Sequence, residues 1–169
     1  MHGLQWDDKK NRQLMETIRV KSKRKMVSFG VSCVYFLLNK KVGAKLYKSK
    51  KVRDCAYNKQ LYAAEHNLAP AVGDCFSLDC FWIEHVPCCC PEIKYRKIHG
   101  YITQNVKIDS KKEHSEYSKL KYKLSEIGLL NEDLLNDNVG IVDGKLVCID
   151  FDSCSCKWRN IKKKVVKYV

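Results

Sequence analysis

The sequence lacks an apolar run of about 20 residues, which is the length that a membrane-spanning helix requires. Its first residues, Met1 to Asp8, also lack the apolar core of a targeting peptide. These two absences predict an intracellular, cytoplasmic protein that has no membrane partner.

Acidic residues are scarce relative to basic ones. Asp and Glu total 19 against 32 Lys and Arg, which gives a net charge of +13. This balance favours an acidic partner, namely a nucleotide, a nucleic acid or the acidic face of another protein. We expect the runs that hold most of the basic residues to form solvated surface. The runs are Lys9–Lys25, Lys40–Arg53, Lys94–Lys123 and Lys157–Lys167.

The ten cysteines show no paired C-x-x-C spacing. In a chain without a secretion signal, they are expected to be reduced thiols rather than a disulfide framework. Cys75, Cys80, His85 and Cys88 are separated by four, four and two residues, a spacing that departs from that of common zinc sites. Zinc held by cysteines therefore remains an alternative.

Metal-competent side chains surround an apolar run near the end of the chain. Asp133 and Asn138 are five positions apart, and Asp150 closes the run Lys145–Ile149, which follows an Asp143-Gly144 turn and is predicted to be a buried strand. The spacing predicts that these three side chains converge on Mg²⁺ and a phosphate.

This segment resembles the catalytic region of the protein-kinase-like superfamily, which reads H-R-D-x-x-x-x-N and then D-F-G. Asp133 to Asn138 has the D-x-x-x-x-N spacing, and Asp150-Phe151-Asp152 stands where D-F-G would be. Asn131-Glu132 replaces His-Arg, and Asp152 replaces the glycine. The sequence from Asn138 to Phe151 is most similar to that of compact kinase-like proteins of viruses and phages. For such a protein the cytoplasm would be that of a host cell.

The resemblance implies an α+β fold over residues 26–152, with a small antiparallel-sheet lobe to about residue 102 and a reduced, mostly helical second lobe. Residues 1–25, with a helix predicted from Asp7 to Val20, form an extension, and residues 153–169 form a basic tail. Within the small lobe we predict strands in Met26–Leu38 and at Val42–Tyr47. Further short strands are predicted between Ala71 and Tyr101, broken by Pro87 and Pro91.

The resemblance also implies the nucleotide contacts of the small lobe. Val42-Gly43-Ala44-Lys45 matches the strand pattern V-A-I-K with Gly for Ala, so Lys45 is expected to pair with the α and β phosphates. Gly30 is the glycine of the covering loop. Gln104 and Asn105 stand where a linker would bind adenine through its backbone.

Two helices are predicted, one over Lys51–Asn67 and one from about Tyr117 to Gly128. In kinases the first helix supplies a glutamate partner for the strand lysine, here expected near residues 57–59. No glutamate occurs there, and Glu65 is the carboxylate available later in the helix.

If the family roles hold, Asp133 positions the attacking hydroxyl or accepts its proton, and Lys45 neutralises phosphate charge. Asn138 and Asp150 then bind Mg²⁺. The expected function is an ATP- and Mg²⁺-dependent phosphotransferase acting on Ser or Thr of a protein. Asp152 does not exclude catalysis, because an added carboxylate can also bind a cation.

Two alternatives remain. The chain can be a pseudokinase, a viral or phage module that binds a host protein, which the short second lobe favours. It can also be a basic nucleic-acid-binding protein with zinc held by cysteines, for which steep salt dependence is expected.

Overall fold

The structure is a computed structural model that describes residues 33–84, 92–108, 114–130, 138–152 and 155–156. These residues form an α+β fold with small antiparallel sheets and two helices, which confirms the predicted fold class at that level. The chain separates into two units: residues up to Asp54 with Val72–Asn105, and Cys55–Ala71 with the residues from Val106 onwards.

The first unit contains a four-stranded antiparallel sheet in the order β1-β2-β4-β3. Its strands are β1 (Cys33–Leu37), β2 (Val42–Tyr47), β3 (Val72–Glu84) and β4 (Glu92–Gln104). All six residues of β2 are buried, which fits an inner strand that pairs on both sides. The strand predicted at Val42–Tyr47 is confirmed, and β1 lies within the strand region predicted before it.

The turn between β1 and β2 is set by Asn39. Its side-chain oxygen accepts a hydrogen bond from the Lys41 amide at 2.8 Å, an Asx turn that replaces a backbone turn. The Leu38 amide bonds to the Val42 carbonyl at 3.0 Å and closes the hairpin. This is the polar turn that the sequence predicts at residues 39–41.

Strands β3 and β4 differ from the short segments that the sequence predicts. Each has 13 residues, and they pair in continuous register from Cys75↔Tyr101 to Glu84↔Glu92. The predicted breaks at Pro87 and Pro91 lie outside the described residues. The pairing shifts register at a bulge between Val72 and Cys75.

Helix α1 (Lys50–Glu65) follows β2 and confirms the helix predicted over Lys51–Asn67. It ends in a Schellman motif, because the Leu68 amide bonds to the Ala63 carbonyl at 2.9 Å and the Asn67 amide to the Ala64 carbonyl at 3.0 Å. Asn67 adopts the left-handed conformation that this motif requires, with φ of 57°.

The second unit contains helix α2 and five short strands. Their bounds are β5 (Lys107–Ile108), α2 (His114–Glu126), β6 (Leu129–Leu130), β7 (Val139–Val142), β8 (Lys145–Cys148) and β9 (Ser155–Cys156). The helix predicted to end at Gly128 is confirmed, with Gly128 at φ of 82°. The described part of this unit therefore combines helix with short strands.

The hairpin β7-β8 turns at Asp143 and Gly144, whose φ angles of 49° and 76° are the pair that a type I′ turn needs. The strand predicted over Lys145–Ile149 is confirmed as β8. Strand β5 pairs with the other side of β7, and β6 pairs with β9.

The core of the second unit joins α2, the end of α1 and the hairpin. Its buried members are Ala63, Leu68, Ala69, Tyr117, Leu120, Leu124, Leu129, Val139, Cys148 and Phe151. Each large apolar side chain buried in this way contributes about 1.5–3 kcal/mol to folding relative to its exposed state. The Cys148 amide also bonds to the Leu68 carbonyl at 2.8 Å, which joins β8 to the cap of α1.

The sequence predicts that the small lobe ends at about residue 102, and the first unit of the structure ends at Asn105. Residues 55–65 of α1 belong to the second unit, a division that the sequence did not indicate. The predicted helix Asp7–Val20 and residues 157–169 of the basic tail lie outside the described residues.

Candidate functional site

Some of the site residues predicted from the sequence lie in the described part of the chain: Lys45, Gln104, Asn105, Asn138 and Asp150. Gly30 and Asp133 lie outside it, so their roles stay predictions.

Asn138 and Asp150 lie at the same end of the β7-β8 hairpin. The two strands pair from Val142↔Lys145 to Val139↔Cys148, and the Ile149 amide then bonds to the Asn138 carbonyl at 2.9 Å. Asn138 is therefore opposite Ile149, and Asp150 is the next residue. Both are partly buried. An amide oxygen and a carboxylate brought this close in the backbone are oxygen ligands that suit Mg²⁺.

The Asp150 carboxylate is fixed by its own turn. Its Oδ1 accepts a hydrogen bond from the Asp152 amide at 2.9 Å, and the Cys148 thiol donates to the Asp150 carbonyl at 3.2 Å. Asp152 is not among the described non-glycine residues with positive φ. The turn therefore needs only a backbone N–H at position 152, so aspartate can replace glycine without strain.

Lys45 lies in the middle of β2 and is only 7% exposed. It is paired with Tyr35 on β1 and with Tyr101 on β4, so the three residues occupy adjacent positions on one face of the sheet. Burial raises the pKa of Tyr35, and the charge of Lys45 opposes that rise. A lysine embedded in a sheet in this way is a fixed cation, as phosphate binding requires.

Gly43 is the departure from the V-A-I-K pattern, and Tyr35 explains it. A Cβ atom on Gly43 would lie 2.1 Å from the Tyr35 hydroxyl oxygen and 2.3 Å from the ring carbon that carries it. That hydroxyl donates to Asn105 Oδ1 at 2.7 Å. The tyrosine thus takes the space of the missing methyl group, a pairing that sequence reasoning missed because the two residues lie on different strands.

Gln104 is the last residue of β4, and Asn105 follows it. Gln104 is paired with Val42, and the Asn105 amide bonds to the Lys41 carbonyl at 2.8 Å. The Asn105 side chain also donates to the Lys40 carbonyl at 3.1 Å. These bonds give Asn105 a structural role at the β1-β2 turn, and its predicted contact with a nucleotide stays a prediction.

A lysine occupies the part of α1 where a glutamate was expected. Lys59 is 7% exposed, and its Nζ donates to the Phe151 carbonyl at 3.4 Å. The next residue, Gln60, is fully buried and donates to the Pro70 carbonyl at 3.2 Å. Glu65 is exposed at the end of the helix. The burial of Lys59 was not predicted, because a single lysine in a helix is usually solvated.

The predicted zinc residues fall only partly within the described chain. Cys75 lies exposed on β3 and Cys80 lies on the same strand, whereas His85 and Cys88 lie outside the described residues. Where the structure describes the chain, it contains no group of three or more His, Cys, Asp or Glu side chains that could hold a metal ion.

Among the helices described here, none is long and apolar enough to cross a membrane. Comparison with known protein families finds no match to this chain, and a search of curated proteins likewise finds no relative.

Proposed function

We propose that this chain is an ATP- and Mg²⁺-dependent phosphotransferase of the protein-kinase-like type, acting on Ser or Thr of a protein. The observation that carries the proposal is the hydrogen bond from the Ile149 amide to the Asn138 carbonyl. It supports the assignment because it pairs Asn138 with the residue before Asp150, so that an asparagine and an aspartate lie at the same end of a hairpin, in the chain order that the resemblance implies.

The chemistry assigned to these residues is positioning and electrostatic stabilisation, which supply most of the catalysis of phosphoryl transfer. Asn138 and Asp150 would hold Mg²⁺ on the phosphates, and Lys45 would neutralise their charge. Asp133 would orient the attacking hydroxyl. The burial of Lys45 and the turn that fixes Asp150 support these roles, since neither group would need to reorganise during the reaction.

The test is thermal unfolding with ATP, with and without Mg²⁺, in the wild type and in Asp150→Asn. At a nucleotide concentration of about 100 times Kd, binding stabilises the native state by about 2.7 kcal/mol. For a chain of this size, the Tm should then rise by about 5 to 10 °C. We expect this rise to require Mg²⁺ and to be lost in Asp150→Asn.

Asp143→Asn is the matched control. It makes the same carboxylate-to-amide change in the same hairpin, at an exposed turn residue with positive φ that asparagine also adopts. The control should keep the wild-type shift. Equal loss in both variants, or no shift in the wild type at millimolar ATP, would count against the proposal.

A pseudokinase that binds a partner protein is the second candidate, and Lys59 favours it. The buried helix position near residues 57–59 carries a cation directed at the Phe151 carbonyl instead of the carboxylate that active kinases use. Phosphate transfer separates the two functions. An active kinase transfers phosphate as the wild type and loses transfer in Asp133→Asn, whereas a pseudokinase shows no transfer in the wild type and retains nucleotide or partner binding in the variant.

A further inference from the structure

Lys59 is a buried lysine to which the phosphotransferase proposed above assigns no role. Moving an ammonium group out of water is costly unless hydrogen-bond acceptors and opposite charges surround it. The Lys59 ammonium donates a hydrogen bond to the carbonyl of Phe151, and Phe151 is itself fully buried. The two residues that flank this acceptor are Asp150 and Asp152. The helix thus directs its buried positive charge at the centre of the acidic segment.

Hydrogen bonds of two kinds fix the segment from Asp150 to Asp152. The bonds from the Asp152 amide to Asp150 Oδ1 and from the Cys148 thiol to the Asp150 carbonyl are local, because each spans two residues. The bond from Lys59 spans 92 residues. The local bonds shape the turn, whereas the Lys59 bond and the Cys148–Leu68 bond, which joins β8 to the cap of α1, together set where the turn lies relative to α1.

We propose that Lys59 is a positioning residue for the metal ligand Asp150. By holding the Phe151 carbonyl against α1, its ammonium keeps the adjacent carboxylate in the place where Mg²⁺ is bound. Metal ligands must be held to within about 0.5 Å of their productive geometry, so a loose segment weakens the site even when every ligand is present. This inference rests on the proposed function, since it assigns Asp150 to Mg²⁺.

The experiment compares Lys59→Met, which removes the donor, with Lys59→Arg, which keeps a charged donor. Lys119→Met is the control, because it makes the same change at an exposed position on α2. The first readout is hydrogen exchange at the amides of Ile149 and Asp152, which report on the segment itself. The second is the Mg²⁺ concentration that gives half of the ATP-dependent rise in Tm.

In Lys59→Met we expect exchange at both amides to accelerate at least tenfold and the Mg²⁺ midpoint to rise at least tenfold. Lys59→Arg keeps a charged donor and should change both readouts less than Lys59→Met does, and Lys119→Met should be indistinguishable from the wild type. A purely structural lysine would change stability without moving the Mg²⁺ midpoint. Lys59→Gln gives the same comparison if the methionine variant does not fold.

The failures are distinguishable. If the wild type shows no Mg²⁺-dependent rise in Tm, the proposed function fails and the role of Lys59 fails with it. If the wild type responds and Lys59→Met responds at the same Mg²⁺ concentration, only the role of Lys59 is overturned. An unchanged exchange rate at Ile149 and Asp152 in Lys59→Met also overturns it.

Discussion

Gly43 and Tyr35 share one space on the face of the first sheet that carries Lys45. A methyl group at position 43 would displace the tyrosine ring and break its 2.7 Å hydrogen bond to Asn105. Because the Tyr35 ring is exposed and can shift, we expect Gly43→Ala to lower the free energy of unfolding by about 0.5–1.5 kcal/mol, the usual contribution of one hydrogen bond. Urea denaturation measures this change.

The double variant Tyr35→Ala with Gly43→Ala tests the cause. Removing the ring gives the new methyl group its space, so the second substitution should cost less in the Tyr35→Ala background than alone. Strictly additive losses would show that the strain at Gly43 has another origin.

His99 on β4 provides a prediction of pH dependence. Its pKa is lowered from the ordinary value of 6.5, first by burial and then by the charges of Arg53, Lys50 and Lys97, with Asp54 acting in the opposite direction. The unfolded chain therefore binds this proton more readily than the folded one. The resulting loss of unfolding free energy is absent above the pKa of the unfolded state. It grows as the pH falls from there through the pKa of the folded state.

Substituting His99 tests this sign. We expect His99→Gln to flatten the decline in unfolding free energy between about pH 7 and about pH 5, measured by urea denaturation at a series of pH values. A slope unchanged in His99→Gln would contradict the assignment.

Among the elements, the helices and hairpins with local signals were predicted from the sequence. Strand β2 has the alternating apolar pattern of Val42–Tyr47, Gly128 follows the end of α2, and the Asp143-Gly144 turn sets the β7-β8 hairpin. These signals act over a few residues, so a single sequence displays them. The α+β class was implied by the resemblance to the protein-kinase-like superfamily.

The length of β3 and β4 could not be predicted in the same way. Their 13-residue strands are stabilised by pairing between residues as far apart as Val72 and Thr103, and that pairing has no local signature. The site features could not be predicted for the same reason. The burial of Lys59, its bond to Phe151 and the Gly43-Tyr35 pair all join distant parts of the chain.

The C-terminal cap of α1 yields a prediction at Asn67. Its φ of 57° is accessible to asparagine and glycine but costs other residues about 1–2 kcal/mol. Asn67→Ala should therefore lower the unfolding free energy by about 1 kcal/mol, whereas Asn67→Gly should leave it unchanged or raise it. Urea denaturation of both variants provides the comparison. Equal losses in the two variants would show that the Asn67 side chain, not its backbone, stabilises the cap.

For the whole molecule, the net charge of +13 does not lie entirely on the surface. Lys40, Lys41 and Lys51 are exposed, as expected of a solvated basic run. Lys45 and Arg53, in the same run, are only 7% and 5% exposed. Charge patterning predicts the solvated positions but does not identify the lysines with a specific task, because burial depends on the sheet and helix that surround them.

Calorimetric titration of the chain with ATP, with and without Mg²⁺, is the direct test of whether the chain binds ATP together with Mg²⁺. We expect Mg²⁺-dependent binding that weakens at least tenfold in Lys45→Met and in Asp150→Asn, since each removes a charge that we assign to the phosphates or the metal. Binding that is unaffected by Mg²⁺ and by both substitutions, or no binding at millimolar ATP, would contradict it.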